Sequence, residues 1–217
     1  MESHIAYIIS LVSDYELKIK LKRLNKILYK RIEITSLPSY VEHELTDKNL
    51  QSLHNLQSLN IGYNQNITDR GLENLYHLRE LNLWNNQKIS DRGLQSLSEL
   101  KVLYLGTNMW ITDVGLKNLC KLRELDLWSN QNITDRGLEN LCYLENLNLG
   151  FNQKITDKGL QNLSRLRELN LGNNKNISDR GLKNLSYLRI LDVKYNKNIT
   201  EVFIENLKKR GVVVLHE

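Results

Sequence analysis

The chain has very little of what staples, breaks or catalyses. Its 217 residues include one proline, Pro38, and two cysteines, Cys120 and Cys142. Two cysteines cannot form the disulfide framework of a small secreted domain, so the composition predicts a reducing compartment, the cytoplasm. No apolar run approaches the roughly 20 residues that a membrane-spanning helix needs. The short run Ile5 to Val12 follows an acidic start and lacks a small-residue cleavage site, so a signal peptide is not expected either. No glycine-rich phosphate loop occurs, and His4, His43, His54, His77 and His216 share no recurring position. The cysteines lack two further ligands for zinc. These absences predict no catalytic residue, no metal and no cofactor, and hence no enzyme.

What is present is a period. A 22-residue unit recurs seven times without an insertion, starting at Leu56, Leu78, Leu100, Leu122, Leu144, Leu166 and Leu188. It reads L-x-x-L-x-L-x-x-N-x-x-I-[ST]-D-x-G-L-x-x-L-x-x, as in Leu122 to Tyr143. Such a period means stacked coils, each of which cannot bury its apolar face alone. The L-x-L core, as in Leu81-Asn82-Leu83, alternates with the strand period and predicts two inward leucines and one outward residue. Strands of successive coils then stack into one parallel sheet. The ninth position is always asparagine, from Asn64 to Asn196, whose amide both donates and accepts where the chain turns inward. The isoleucine three residues on, Ile67 to Ile199, fills the core below it. Thr or Ser followed by Asp reads as a helix cap with a favourable first-turn carboxylate. The following segment has room for about two helical turns at most, with an inward stripe such as Leu138 and Leu141. A glycine inside it, Gly71 through Gly181, costs about 1 kcal/mol relative to alanine, so its recurrence predicts close approach between coils.

The motif resembles the leucine-rich repeats, over roughly residues 45 to 209. The resemblance implies an α/β solenoid, a right-handed coil with a parallel concave sheet. The N-x-x-I-T-D-x-G-L half looks most like the repeats of F-box proteins, whereas the 22-residue length is shared with internalin-type repeats, and spacing alone does not separate the two. Residues 34–55 read as a degenerate first repeat, with a possible strand in Arg31 to Thr35, and residues 56–209 as the seven full coils. Residues 210–217 read as a capping strand with Val213 and Leu215 at the L-x-L sites. Cys120 and Cys142 share position twenty-one and are expected to be small buried side chains on adjacent coils.

Residues 1–33 carry none of the repeat signature. Apolar residues at helical spacing predict a small helical module there. The text from Ile8 to Ile32 resembles an F-box, which implies docking on a Skp-type adaptor of a cullin-RING ubiquitin ligase through Ile8, Ile9, Val12, Leu21 and Leu24. The alternative reading of the same residues is a cap that covers the first coil.

The net charge is +5, and seven basic residues fall between Lys18 and Arg31. Nucleic acid is nevertheless disfavoured, because the strand-facing positions three, five, seven and eight hold Glu80, Glu124, Glu168, Asp126 and Asp192 against Lys194 alone. The arginines of position two, such as Arg79 and Arg123, read as solvated flanks off that face. The same concave positions carry Tyr63, Trp84, Tyr104, Trp128, Phe151 and Tyr195. Exposed aromatics of this kind are the usual anchors of protein interfaces. Trp84 and Trp128 are expected about 10 Å apart, one strand between them. The expected partner is therefore a protein on the concave face. It would be held there for an F-box type ligase or bound by a free-standing scaffold or effector.

Overall fold

In the computed structural model of the protein the described residues are 45–216, apart from Ser52. The module expected in residues 1–33, the Arg31 to Thr35 strand and Pro38 lie outside them. Eight strands form one parallel sheet in sequence order: β1 Ser58–Asn60, β2 Glu80–Asn82, β3 Val102–Tyr104, β4 Glu124–Asp126, β5 Asn146–Asn148, β6 Glu168–Asn170, β7 Ile190–Asp192 and β8 Val213–Leu215. The constant spacing of 22 keeps Leu59, Leu81, Leu103, Leu125, Leu147, Leu169 and Leu191 in one line across the sheet. Each is buried, as are the leucines or isoleucines that begin, follow and oppose them, so one continuous core runs the length of the stack. The architecture is the expected α/β solenoid of strand and short-helix coils.

Coils one to six return along the convex side through a single helical turn. Asp69–Leu72, Asp91–Leu94, Asp113–Leu116, Asp135–Leu138 and Asp179–Leu182 are one-turn α-helices, and Asp157–Leu160 is 3-10. Further tight turns follow, in which Leu75 N–H donates to Leu72 O and Leu78 N–H to Leu75 O. Three-residue steps point positions seventeen, twenty and one inward and leave the residues between them outside. Cys120 and Cys142, at position twenty-one, are consequently exposed free thiols and not the buried side chains expected.

The buried asparagines form the expected ladder. Asn86 Oδ1 accepts from the N–H groups of Lys88 and Ile89, and its Nδ2 donates to Asn64 O at 2.8 Å and Ile61 O at 3.0 Å. Asn108, Asn130, Asn152 and Asn174 each reach the preceding asparagine's carbonyl in the same way.

A second ladder runs the other way and explains both the aspartate and the glycine. Asp69 does not merely favour its own helix: its Oδ1 accepts from Ser90 N–H at 2.8 Å and its Oδ2 from Ser90 Oγ at 2.7 Å, in the next coil. The same pair of bonds joins Asp47 to Thr68, Asp91 to Thr112, Asp113 to Thr134, Asp135 to Thr156, Asp157 to Ser178 and Asp179 to Thr200. The cap hydroxyls accept from their own helices only at 3.3–3.4 Å in coils two to six, so the stronger bond is the one between coils. The glycine makes room for it. A Cβ on Gly137 would stand 2.6 Å from Asp113 Oδ1 and 2.8 Å from Ile133 Cγ2.

Both ends depart from the unit where the ladders run out. The half coil at the start keeps Leu45 and Leu50 buried and supplies Asp47 to the second ladder. At the far end Glu201 and Phe203 stand in place of Asp and Gly, and the helix lengthens to Glu201–Lys209. That helix carries the chain one residue past the 22-residue register, so Leu191 faces Val214 and not Val213 or Leu215. The expected faces of the capping strand are thereby reversed: Val212 is buried, Val214 half-buried, and Val213 and Leu215 point outward at 57% and 42% exposure. Such a one-residue slip flips every side chain of a strand.

Gly137→Ala is expected to lower the unfolding free energy by about 1–3 kcal/mol, the usual range for overpacking, although alanine is the better helix former. Urea denaturation measures it, and an unchanged or raised midpoint would contradict the close approach of Asp113.

Candidate protein-interaction site

Beyond the three-residue strands the backbone pairing continues for two more residues, and these shape the concave face. Position-eight N–H groups donate to the position-seven carbonyl of the next coil, as Tyr63 does to Trp84 O and Asn85 to Gly106 O. Position seven is itself held by the side chain at position five: Trp84 N–H donates to Asn82 Oδ1 at 2.8 Å, Trp128 N–H to Asp126 Oδ1 at 2.8 Å and Lys194 N–H to Asp192 Oδ1 at 3.0 Å. Position eight then turns the chain inward in the left-handed region. Tyr63, Asn85, Thr107, Ser129, Phe151, Asn173 and Tyr195 all have φ between 51° and 61°. Asparagine tolerates this readily, whereas a tyrosine, phenylalanine or threonine there costs on the order of 1–2 kcal/mol.

Position seven alternates between tryptophan and glycine in the middle of the stack, and this brings the aromatic residues together. Gly106 lies beneath the Trp84 ring; a Cβ there would be 2.6 Å from two ring carbons. With that space vacant, Trp84 leans over coil three onto Trp128, the ring centroids 5.5 Å apart and the planes at 23°. The expectation of about 10 Å is thus corrected: strand spacing sets the Cα positions, and a glycine between them lets the rings close the gap. Trp128 in turn meets Phe151 edge to face at 5.4 Å, above Gly150. Trp84 and Trp128 are half-buried, and Phe151 is 46% exposed.

Tyr104 takes the place of the position-five asparagine in coil three. Its hydroxyl donates to Glu124 Oε1 at 2.6 Å. Burial, the bond to Glu124 and the negative charges of Glu124, Glu80 and Asp126 hold its phenol above the usual tyrosine range. Glu80 accepts from Ser58 Oγ at 3.1 Å. Asp126 accepts from Asn148 Nδ2 at 2.8 Å, and burial raises its carboxyl above the usual range despite that bond. The candidate residues therefore fall into a central group, Trp84, Trp128, Phe151, Tyr104, Glu124 and Glu80, and an outer one. Tyr63 and Tyr195 are exposed on the first and last coils, Glu168 is exposed on β6, and among the described residues no ring contact joins the two tyrosines to the central row. Ile8, Ile9, Val12, Leu21 and Leu24 lie outside the described residues.

The flanking arginines are nearer the face than expected. Arg79 and Arg123 line a shallow groove of about 580 Å³ together with Glu80, Lys101, Val102 and Glu124 at the strand entrances. Glu145 pairs with Arg123 at 3.0 Å and Arg167 at 3.5 Å, so charges of both signs alternate along this edge. Sequence reasoning also passed over Met109 and Trp110, which are exposed beside the strand ends of coil three. The signal was available in the repeat itself, since other coils have Gln or Lys and Asn or Lys at those positions.

A model of the leucine-rich repeat matches residues 52–75, 77–98, 118–142, 140–164 and 165–186. With these five matches over more than half the sequence, the chain belongs to the leucine-rich-repeat proteins. No curated protein sequence matches it. Among solved structures, internalin C2 of Listeria monocytogenes is 33% identical over 77% of this chain and 74% of its own, with a TM-score of 0.60. Internalin F of the same organism is 27% identical over 76% of this chain, with a TM-score of 0.57, and the present chain spans 56% of its length. A chain of the yeast Rad7 and Elc1 complex shares the fold at 19% identity, covering 79% of this chain and 58% of its own with a TM-score of 0.58. Solenoids of this class use their concave surface for binding. Among the described residues no helix is long and apolar enough to cross a membrane.

The raised Asp126 carboxyl fixes a pH dependence. A carboxyl whose folded pKa lies above its unfolded value binds extra protons in the native state, so stability falls as pH rises through that window. As pH drops from 7 towards 4, the wild type is expected to gain stability relative to Asp126→Asn, the residue found at this position in coils two and five. Parallel stability-versus-pH curves for the two proteins would contradict the assignment.

Proposed function

We propose that the chain is a non-enzymatic recognition module that captures a polypeptide on its concave face. The reading rests on one observation, the row Trp84, Trp128 and Phe151 laid over Gly106 and Gly150 and left partly open to solvent. Aromatic rings held rigid before binding lose little entropy on complex formation, and hot spots are rich in tryptophan and tyrosine. Glu80 and Glu124 beside the row, with Glu168 and the exposed Tyr63 and Tyr195 further out, give the partner a polar rim. Free thiols at Cys120 and Cys142 fit a reducing, cytoplasmic setting.

Replacing Trp128 by Ala is expected to abolish capture of the partner by the full chain while leaving its far-ultraviolet circular dichroism unchanged. Truncating a central aromatic anchor typically costs 2 kcal/mol or more, about thirtyfold in affinity. Capture that survives the change would remove the proposal.

A second reading makes the module the substrate-recognition subunit of an F-box type ubiquitin ligase. It is supported by the F-box-like text from Ile8 to Ile32 and by the fold shared with a chain of the Rad7 and Elc1 complex. A free-standing scaffold or effector is supported by the higher identity to internalin C2. Co-purification decides between them. A Skp-type adaptor retained by the intact chain and lost on Leu24→Glu supports the ligase reading; no retention by the intact chain supports the free-standing one.

A further inference from the structure

Both cysteines of the chain fall in one row of side chains. Cys120 and Cys142 occupy position twenty-one of coils three and four, and no other residue of the sequence is cysteine. At the same position coils two, five and six have Ser98, Ser164 and Ser186. Serine therefore satisfies whatever the fold needs there. Free cysteine is among the most buried residue types, yet both of these thiols are exposed, so neither serves the core.

The local backbone is the same around the two. Cys120 lies inside the turn in which Leu119 N–H donates to Leu116 O at 3.0 Å and Leu122 N–H to Leu119 O at 3.1 Å. Around Cys142 the corresponding bonds, Leu141 N–H to Leu138 O and Leu144 N–H to Leu141 O, are 3.1 Å and 3.0 Å. The two side chains consequently leave the convex side in the same direction. The backbones that carry them are held together before and after. Three residues beyond the cysteines Glu145 N–H donates to Arg123 O at 2.7 Å, and upstream Thr134 N–H donates to Asp113 Oδ1 at 2.8 Å. At the neighbouring position twenty-two, side chains already reach across one coil step: Lys121 meets Glu99 at 2.6 Å, and the Arg165 guanidinium lies 4.7 Å from the centre of the Tyr143 ring. In that register the two cysteine Cα atoms stand about 5 Å apart, the strand spacing, inside the roughly 4.4–6.8 Å that a disulfide bridges.

We propose that Cys120 and Cys142 form a vicinal dithiol on the convex side, a site of reversible oxidation by a small-molecule disulfide such as glutathione disulfide. In the exchange one cysteine, as thiolate, attacks glutathione disulfide and releases one glutathione, which leaves a mixed disulfide. The second cysteine thiolate attacks the protein sulfur of that bond, and the second glutathione departs. Two protein thiols are thereby oxidised to one disulfide, glutathione disulfide is reduced to two glutathiones, and the two protons pass to the departing thiolates. In a reducing compartment the resting state is the dithiol, and the bridge forms when the glutathione pool is oxidised. Once formed, it ties coil three to coil four away from the aromatic row. The site does not rest on the capture of a partner by the concave face.

The test equilibrates the full chain in glutathione redox buffers and reads the acid-quenched protein by mass spectrometry. The expected product is a monomer lighter by two hydrogens and free of glutathione, in which the bridge joins the peptides that contain Cys120 and Cys142; dithiothreitol returns both thiols. At a fixed buffer composition the ratio of disulfide to dithiol is expected to be about thirtyfold or more higher in the folded chain than in guanidinium chloride, because a bridge that suits the native geometry and the fold favour each other equally. Cys120→Ser and Cys142→Ser introduce the residue of neighbouring coils and are expected to keep the wild-type circular dichroism. Each should accumulate one glutathione as a mixed disulfide instead. With the chain reduced, phenylarsine oxide, whose trivalent arsenic takes two thiols and releases water, is expected to stay on the intact chain in excess monothiol and to wash from either serine variant. Glutathione retained on both cysteines, bridges only between chains, thiols that survive an oxidising buffer, or an equal ratio in the folded and denatured chain would overturn the proposal. So would an arsenical that leaves the intact chain as readily as the variants.

Discussion

The structure depends on a polar constraint inside an apolar stack. Each coil turns inward directly after its strand and takes backbone N–H and C=O groups out of water. Unpaired, such groups would cost 1–3 kcal/mol each. The position-nine asparagine satisfies two N–H groups of its own coil and a carbonyl of the coil before, as Asn86 does for Lys88, Ile89 and Asn64. Because an amide spans a fixed distance, the ladder holds only where the turns of successive coils stack directly on one another. The in-line leucines of the sheet and the identical turn at position eight agree with that requirement, and the unbroken 22-residue period meets it in every coil the same way.

Within this frame the concave face divides into structural and available positions. Position five looks outward and holds polar residues, yet in most coils its oxygen is committed to the position-seven N–H. The acidic character expected from Asp126 and Asp192 is therefore partly absorbed by the fold. Positions seven and eight remain free of such duties. Variation there, from glycine to tryptophan and from asparagine to phenylalanine, is variation in the binding wall. The left-handed turn at position eight is imposed whatever residue stands there, and coils that keep Tyr63, Phe151 or Tyr195 bear its strain.

Much of the fold was legible because the interactions that make it are local to the unit. Leucine alternation and the inward asparagine and isoleucine can each be read from one coil, and the recurrence of the glycine announces a close approach without naming what approaches. What stayed hidden needs two coils at once. Asp69 looks like a first-turn carboxylate until Ser90, 21 residues ahead, is seen to lie against it. Trp84 and Trp128 look too far apart until Gly106 is recognised as a gap between them. The cysteines looked buried because small residues often are, but the three-residue steps of the convex side place position twenty-one outside. The capping strand was displaced by a single added residue in the last helix, a register effect that spacing within the repeats could not announce.

The aspartate ladder gives the stack a direction. Each carboxylate serves the coil after it, so the two ends of the array are chemically unlike. Removing the last coils strips donors from an aspartate that water can solvate at little cost. Removing the first ones orphans the amide and hydroxyl of a Thr or Ser at a turn that must still form. Length can therefore be gained or lost more cheaply at the carboxyl-terminal end, and a lineage of such proteins would be expected to differ in coil number there while keeping its opening coils fixed.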